Sequence, residues 1–349
     1  MRLLRSAIAA SSVLALTLAG CSTSTPAGTG APSESTQPAT SAPAPSTSDT
    51  AAPSTGDVPK GNGELIYLVS KGFQHRFWQA VKEGAEKAGT DYNYKIQFTG
   101  PDDETKVTQQ LDQLKAALDA KPIAIGFAAL DTGAAEPVLA QIQAANIPMV
   151  AFDSGVDSDL PVTTVQTDNE AAAQEAAKHM IDLLGGKGTV GVICHDQTSQ
   201  TGKQRCNGFV DYVKANAPDI KLLEPQVAGE VGLAANTAKA MIQANPDIAG
   251  VYGTNEAAAT GAVQGVTESG KTDIKVVGFD SGKTQLEAIR DGRMAGAITQ
   301  SPVKMGYETV VAAIKAVNNI EQPKIIDSGF AWYDKTNIDD PDIAANLYE

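Results

Sequence analysis

Polar side chains that can bind hydroxyl groups follow several short apolar runs in this sequence. Asp153 and Ser154 come directly after one such run, and Asn255, Asp280 and Gln300 follow three others. A sugar-like hydroxyl group both donates and accepts hydrogen bonds, so carboxylates, amides and an arginine fork suit its recognition. Aromatic rings would cover the apolar C–H faces of the same molecule. This set of residues therefore predicts a site for a small polyhydroxylated compound.

The apolar runs alternate with segments of helical periodicity, which indicates a parallel sheet with both faces covered. We predict strands at 65–69, 94–98, 122–127, 147–152, 189–193, 221–223, 248–252, 274–277 and 295–299. We predict helices at 77–88, 103–118, 136–145, 171–184, 201–215, 234–243, 257–268, 284–290 and 303–317. The series restarts after its first half, so the predicted fold is α/β, with two Rossmann-like doubly wound lobes.

In open α/β sheets, ligands bind beyond the carboxyl ends of the strands. Residues just after each predicted strand are therefore the candidates for binding. They are residues 71–78, Asp131, Asp153-Ser154, residues 195–205, Asn255-Glu256, Asp280 and Gln300.

The chain begins with Arg2 and Arg5, followed by an apolar run from Ala7 to Leu18 that is too short to span a membrane. This run ends in Leu18-Ala19-Gly20-Cys21, which resembles the lipobox of bacterial lipoproteins. Such a motif implies a signal peptide at 1–21 and a lipid on Cys21; the alternative is an ordinary cleavage site with a chance cysteine. We therefore expect an exported protein, anchored by lipid to the outer face of the cytoplasmic membrane or the cell envelope.

Residues 22–62 consist almost entirely of Ser, Thr, Ala, Pro and Gly with a few charged residues. A segment of this composition buries too little apolar surface to offset its ordering entropy, so we predict a disordered stalk. The folded part is predicted to start at Gly63.

A net charge of −14 argues against nucleic acid as a partner. Besides Cys21, the cysteines are Cys194 and Cys206, which form a disulfide candidate in an oxidising compartment. Their spacing is not that of a metal site, and no histidine pair has ligand spacing either, so neither a metal nor a cofactor is predicted.

Motifs of catalysis are missing from the sequence. It contains no Gly-x-Ser-x-Gly, His-Glu-x-x-His, phosphate-binding loop or Gly-x-Gly-x-x-Gly after a strand, and an enzyme is not expected. A repressor with the same two-lobed fold would carry a DNA-binding helix-turn-helix at its N-terminus. The signal peptide and stalk take that place here.

Four strand-end segments occur in the order found in the ribose-binding-protein-like family, which the chain resembles from Gly63 to Trp332. They are Phe77-Trp78, Val150-Ala151-Phe152-Asp153, Tyr252-Gly253-Thr254-Asn255-Glu256 and Val277-Gly278-Phe279-Asp280. Members of this family are sugar-binding components of ABC importers. The resemblance implies a solute-binding protein that captures a small sugar or sugar alcohol, acts as a monomer and delivers its ligand to a membrane permease. The alternative is a sensor that reports such a ligand to a membrane receptor.

The resemblance also implies roles for individual residues. Phe77 and Trp78 would stack on the ligand, although core packing is an alternative for either ring, and His75 would hydrogen-bond it. Asp153, Asn255, Asp280 and Gln300 would bind hydroxyl groups, and Asp280 could also cap a helix.

The resemblance leaves open which residue supplies the cation that binds the ligand. Either Lys203 or Arg205 would do so, and the other would be a solvated helix residue. Thr167 would contact ligand at the hinge. Ser154 stands where the ribose binder has an arginine, and Gly229-Glu230 replaces its third aromatic ring, so ribose itself is not the expected ligand.

The family's chain path implies lobes that are not continuous in sequence. The first lobe would comprise 63–167 and 301–329, and the second 168–300 and 330–349. Three connections near Thr167, Gln300 and Gly329 would form a three-strand hinge that permits closure around the ligand.

Overall fold

The structure is a computed structural model that describes residues 58–348. The predicted signal peptide, the predicted lipidation site Cys21 and most of the predicted stalk lie outside this range. No helix within residues 58–348 is long and apolar enough to cross a membrane. The same range contains no cluster of His, Cys, Asp and Glu that could hold a metal ion.

Strands and helices alternate along the chain. The first part contains β1 (Leu65–Val69), α1 (Arg76–Tyr92), β2 (Lys95–Thr99), α2 (Val107–Asp119), β3 (Ala124–Phe127), α3 (Glu136–Ala144), β4 (Met149–Phe152) and β5 (Thr164–Gln166). The middle part contains α4 (Asn169–Leu184), β6 (Gly188–Cys194), α5 (Gln200–Asn216), β7 (Ile220–Leu222), β8 (Gln226–Val227), α6 (Val231–Ala244), β9 (Ile248–Gly253), α7 (Glu256–Ser269), β10 (Lys275–Phe279), α8 (Lys283–Arg290) and β11 (Gly296–Gln300). The last part contains α9 (Pro302–Val317), β12 (Ile325–Asp327), β13 (Phe330–Asp334) and α10 (Pro341–Ala344).

These strands form two sheets, one in each lobe. The first sheet has the order β12-β5-β4-β3-β1-β2, and all of its pairs are parallel. The second has the order β13-β11-β10-β9-β6-β7, with β8 beside β6, and β13 is its antiparallel edge strand. The prediction of a two-lobed α/β fold is confirmed.

Each sheet is covered on both faces by apolar packing, because its short strands are buried runs. In the first lobe, α1 and α9 pack over one face and α2 and α3 over the other. In the second lobe, α6, α7 and α8 cover one face and α4 and α5 the other. Residues that follow β1, β4, β6, β9 and β10 line the cleft between the lobes, so the carboxyl ends of these strands lie there.

The chain passes between the two sheets three times. It leaves β5 for α4 at residues 167–168, leaves β11 for α9 at Ser301, and leaves β12 for β13 at residues 328–329. The third passage joins β12, an edge strand of the first sheet, directly to β13, an edge strand of the second. Three adjacent connections restrict relative motion of the lobes to bending about one region.

The elements that pattern reading missed are short. The strands β5, β8, β12 and β13 and the helix α10 have no predicted counterpart. β5, β8 and β12 have two or three residues, too few to show a measurable alternation. β13 has five residues, and its pairing is decided by the neighbouring edge of the sheet.

The folded part also begins earlier than the predicted boundary at Gly63. Val58 is buried in the first-lobe core, and Asn93 binds the carbonyl oxygen of Gly61 through its side-chain amide. At the other end, Tyr348 packs in the first-lobe core rather than with the second lobe to which residues 330–349 were assigned. These tertiary contacts extend the folded region at both ends, and they cannot be predicted from amino-acid composition.

The crossing of α1 and α9 depends on two glycines that face each other's helix backbone. A Cβ on Gly306 would clash with the carbonyl oxygen of Val81, and a Cβ on Gly84 would clash with that of Val303. Backbone on both sides cannot give way, so we expect Gly306→Ala to destabilise the protein by about 1–3 kcal/mol through overpacking. Chemical denaturation of the purified domain measures this loss.

Gly232 in α6 is the matched control, because a Cβ there meets no atom within 4 Å. Gly232→Ala should leave stability unchanged or raise it by up to about 1 kcal/mol, since alanine is the better helix former. Equal stability of Gly306→Ala and the wild type would contradict the proposed packing constraint.

Candidate functional site

A small polar cavity lies between the lobes at the carboxyl ends of both sheets. Residues of both lobes line it: Lys71, His75, Phe77, Trp78, Glu104, Asp153, His195, Arg205, Asn255, Asp280 and Gln300. Its volume is about 20 Å³, close to that of one water molecule. A monosaccharide needs more space, so the lobes or the lining side chains must move apart to admit one.

Two aspartates occupy equivalent places in the two lobes. Asp153 follows β4 and Asp280 follows β10, and both have left-handed backbone conformations, with φ of 55° and 76°. Non-glycine residues adopt this region at an energetic cost, and such strain concentrates at functional sites. Backbone hydrogen bonds hold each turn: Asp153 donates to Val165 at 2.9 Å and Asp280 to Ile298 at 2.6 Å. The strained turns direct both carboxylates into the cleft.

Arg205 joins these carboxylates across the cleft. Its Nη2 lies 3.9 Å from Asp153 in the first lobe, and its Nη1 lies 3.9 Å from Asp280 in the second. The guanidinium stacks on the ring of Phe279 at 3.8 Å, and Nε donates to Asn169 Oδ1 at 2.7 Å. The Phe279 ring and the Asn169 amide fix the plane of the guanidinium. Its Nη atoms face the two carboxylates at more than hydrogen-bond distance.

Lys203 points away from the cavity. It is exposed on α5, whereas Arg205 is only 3% exposed. Two residues correspond to about 200° around a helix, so the two side chains leave α5 on opposite faces. Of the two cations left open by the sequence, Arg205 lines the cavity and Lys203 does not.

Lys71 is a second buried cation, on the loop after β1. Its Nζ donates to the Thr201 hydroxyl at 2.9 Å, across the cleft, and lies 3.7 Å from Asp153 Oδ2. Burial opposes its charge, but the carboxylates of Glu104, Asp153 and Asp196 outweigh burial and raise the pKa of Lys71. Burial also raises the pKa of Asp153, against the lowering by Lys71 and Arg205.

Phe77 and Trp78, at the start of α1, form an aromatic wall of the cavity. Their rings meet edge to face with centroids 4.9 Å apart. Trp78 Nε1 donates to Glu104 Oε1 at 2.8 Å, which fixes the indole. Both rings also belong to the first-lobe core, so packing and lining of the cavity coexist in the same side chains.

Glu104 is the lining residue that strand-end reasoning missed. It follows β2, as the other site residues follow their strands, but its loop was assigned to the start of a helix. Burial acts to raise its pKa, yet the charges of Lys71, His75 and His195, with the Trp78 hydrogen bond, lower it to about 2. Glu104 is therefore a charged carboxylate within the cavity at neutral pH.

His75 and Glu256 meet at the mouth of the cavity, one from each lobe. His75 Nδ1 lies 3.6 Å from Glu256 Oε2. Both residues also line a larger outer cavity of about 500 Å³, together with Gln74, Asp103, Lys106 and Glu230. His75 lines both cavities, and its contact with Glu256 brings the two lobes together at that point.

His195, at the end of β6, is held by Thr254, whose hydroxyl receives the His195 backbone N–H at 2.8 Å and contacts Nδ1 at 2.7 Å. Burial lowers the pKa of His195 to about 4, against the opposing effect of Asp196. The imidazole is therefore neutral at pH 7, when it can both donate and accept a hydrogen bond.

The remaining predicted residues divide into lining and supporting positions. Asn255 lines the cavity and caps α7 by accepting the N–H of Ala258, and Gln300 lines it and donates to Asp280 at 2.7 Å. Thr167 does not line the inner cavity but donates to Gln300 Oε1 at 2.9 Å. Ser154 is also buried outside the lining, and its hydroxyl has no hydrogen-bond partner in the described part of the chain.

Cys194 and Cys206 are joined by a disulfide bond, with Cα atoms 5.5 Å apart. It ties the end of β6 to α5, next to His195 and Arg205. The bond therefore constrains the two elements that carry these site residues.

The chain belongs to the periplasmic binding protein domain family, whose model matches residues 66–321. The resemblance predicted from the strand-end motifs is thereby confirmed. Proteins of this family bind solutes and are not enzymes.

Curated relatives are similar to this chain in sequence over most of their length. The chain is 26% identical over 256 residues to the D-apiose import binding protein of Actinobacillus succinogenes, covering 72% of this chain and 82% of that one. It is 28% identical to the xylitol-binding protein of Mycolicibacterium smegmatis, covering 68% of this chain and 67% of that one.

Solved structures give a closer match in three dimensions. An ABC transporter solute-binding protein of Agrobacterium vitis bound with α-D-tagatopyranose superposes with a TM-score of 0.79 at 30% identity, covering 82% of this chain and 99% of that one. A carbohydrate transporter solute-binding protein of Agrobacterium radiobacter in complex with D-arabinose has a TM-score of 0.76 at 29% identity, with the same coverage.

Glu256 predicts a pH-dependent contribution to the stability of the closed structure. Burial raises its pKa to about 7, although His75 lowers it. Because this folded-state pKa lies above the ordinary value, the neutral carboxyl of Glu256 favours the folded state. Its contribution to the free energy of unfolding is full below about pH 4.5 and is lost as the pH rises through about 7. Glu256→Gln should therefore gain stability relative to wild type between pH 5 and pH 8, on the order of 3 kcal/mol. Thermal unfolding across this range measures the difference.

His195 acts in the opposite direction, because its lowered pKa makes its contribution disappear as the pH falls below 6.5. Both proteins carry His195, so their difference isolates Glu256. Glu287→Gln, at an exposed position of α8, controls for the substitution itself. A difference between Glu256→Gln and wild type that does not change with pH would contradict the prediction.

Proposed function

We propose that this protein captures a small, uncharged sugar or sugar alcohol outside the cytoplasm and delivers it to the permease of an ABC importer. The observation that carries the proposal is Arg205, held between Asp153 of one lobe and Asp280 of the other inside a closed cavity. Hydroxyl groups inserted between these charges would receive hydrogen bonds from the guanidinium and donate to the carboxylates. One ligand would then contact both lobes.

The charges around the cavity favour an uncharged ligand. Three carboxylates line it, from Glu104, Asp153 and Asp280, against the two cations Lys71 and Arg205. A ligand with its own carboxylate or phosphate would add a buried negative charge to this set, at a large cost in desolvation and repulsion. The aromatic wall of Phe77 and Trp78 suits the C–H face of a sugar.

Lobe closure is the proposed mechanism. The ligand would enter while the lobes are apart and would stabilise the closed form through its differential affinity for it. Three connections at residues 167–168, 301 and 328–329 would act as the hinge, with residues 58–167 and 302–327 in the first lobe.

The ligands named for similar proteins support this class. Tagatopyranose and D-arabinose occupy the two solved structures described above, and the curated relatives are named for D-apiose and xylitol. All four are neutral and polyhydroxylated. Because their ring forms and lengths differ, the comparison supports the chemical class and leaves the individual sugar to experiment.

A thermal-shift panel tests the proposal. D-tagatose, D-arabinose, D-ribose, D-apiose and xylitol would be compared with D-glucuronate and ribose 5-phosphate. A ligand at 100 times its Kd should stabilise the protein by roughly 2.7 kcal/mol, which raises the melting temperature by a few degrees. We expect a shift from at least one neutral compound and none from the two anions.

Arg205→Ala and Lys203→Ala form a matched pair on the same helix. With the neutral compound from the panel, Arg205→Ala should weaken binding by at least 100-fold, because it removes the cation that two buried carboxylates share. Lys203→Ala should bind as the wild type does, within about twofold. Equal affinities of the two variants, or a shift caused only by the anions, would refute the proposed site.

The lipid anchor completes the proposed location. The motif Leu18-Ala19-Gly20-Cys21 supports acylation of Cys21, and the Ser-, Thr- and Pro-rich segment after it would act as a tether. Lipid chains on one residue hold a protein to a membrane through about 0.8 kcal/mol for each buried methylene. The tether would keep the cleft near the permease without restricting closure.

Cys21→Ser tests the anchor in a bacterial host. We expect wild-type protein to incorporate a palmitate label and to fractionate with membranes, while Cys21→Ser incorporates none and stays unprocessed or enters the soluble fraction. Cys194→Ser with Cys206→Ser is the control, since loss of these two cysteines should leave labelling intact. Labelling of Cys21→Ser at the wild-type level would exclude this site.

A further inference from the structure

The last residues of the described chain cross from the second lobe to the first. The C-terminal segment, residues 330–348, begins with β13 at the edge of the second sheet, and Ile338, Ile343 and Leu347 pack in the second-lobe core. The segment then places Tyr348 in the first-lobe core, where its side chain is 6% exposed. This crossing is a contact between the lobes in addition to the three chain connections.

Tyr348 contacts the aromatic wall from behind. Its ring meets that of Phe77 edge to face with centroids 6.0 Å apart, and Phe77 in turn packs on Trp78. Phe77 and Trp78 line the inner cavity, whereas Tyr348 does not. The position of the wall therefore depends on a residue outside the cavity.

Two tyrosines of the same segment hold the turn that carries Asp280. The Tyr333 hydroxyl donates to the carbonyl oxygen of Asp280 at 2.7 Å, and the N–H of Ser281 donates to the Tyr348 hydroxyl at 3.2 Å. Asp280 has a left-handed φ of 76°, a conformation that needs such support. Thr299 fixes the segment itself, since its hydroxyl donates to the carbonyl oxygen of Asn346 at 2.9 Å.

We infer that Tyr348 is a positioning residue for the proposed sugar site: it sets the aromatic wall of the first lobe relative to the Asp280 turn of the second. Its ring acts on Phe77, and its hydroxyl acts on the backbone next to Asp280. The inference rests on the proposed function, because the placement of these two groups matters only for a ligand that contacts both.

Tyr92 provides a control of the same residue type. It lies in the same first-lobe core, is 5% exposed, and packs on Tyr307 instead of on Phe77 or the Asp280 turn. Tyr348→Ala and Tyr92→Ala thus remove similar buried rings from one core. Only the former changes contacts with the site.

Isothermal titration with D-tagatose, D-arabinose, D-ribose and xylitol, together with melting temperatures, tests the inference. For the compound that binds wild type, we expect Tyr348→Ala to raise Kd at least tenfold and Tyr92→Ala less than twofold, although both lower the melting temperature. Tyr348→Phe keeps the ring contact with Phe77 but loses the hydrogen bond from Ser281, so it should raise Kd by an intermediate factor of about threefold. Equal effects of Tyr348→Ala and Tyr92→Ala on Kd would reduce Tyr348 to a packing role and overturn the inference.

A measurement without any sugar separates this inference from the proposed function. The chain has two tryptophans, so Trp332→Phe leaves Trp78 as the sole indole. In that background, Tyr348→Ala should shift Trp78 emission to longer wavelength, and Tyr92→Ala should leave it unchanged. If no sugar binds wild type, the proposed function fails, while an unchanged emission in Tyr348→Ala overturns the positioning role independently.

Discussion

The guanidinium of Arg205 is the interaction around which the cleft is organised. It lies between a carboxylate of each lobe, and both are buried where water cannot screen them. Removing Arg205 would leave Asp280 without its cation and Asp153 with Lys71 as its remaining cationic neighbour, in a medium of low dielectric constant. The closed arrangement therefore depends on charges that the two lobes present together, and the supporting contacts serve to hold each charge in place.

Those supports differ in kind between the partners. The aspartates depend on backbone geometry, through left-handed turns at the ends of β4 and β10. Arg205 depends on side-chain contacts, with Phe279 beneath its plane and Asn169 on Nε. The disulfide between Cys194 and Cys206 adds a covalent tie on the same helix. Rigid support of this kind lowers the entropy lost when a ligand becomes ordered in the site.

Much of this architecture could be read from the sequence, because buried parallel strands and amphipathic helices leave strong patterns. The strand-end rule also led to Asp153, Asn255, Asp280 and Gln300, which all line the cavity. The choice between Lys203 and Arg205 needed the helix phase relative to the cleft. Glu104 follows β2, but its loop reads as the start of a helix. The crossing of Tyr348 depends on long-range packing, for which local sequence carries no signal.

The distances around Arg205 explain how such a site could combine tight compensation with ligand exchange. At 3.9 Å, its contacts with Asp153 and Asp280 are electrostatic and too long for good hydrogen bonds. Asp153 Oδ2 lacks a hydrogen-bond partner among the described residues, although Lys71 lies 3.7 Å away. The charges thus attract one another while part of their hydrogen-bonding capacity stays unused. A hydroxyl group entering between them would take up that capacity without first breaking a direct ion-pair hydrogen bond, so a neutral polyhydroxylated ligand gains more from this site than an ion that would compete for one of its charges.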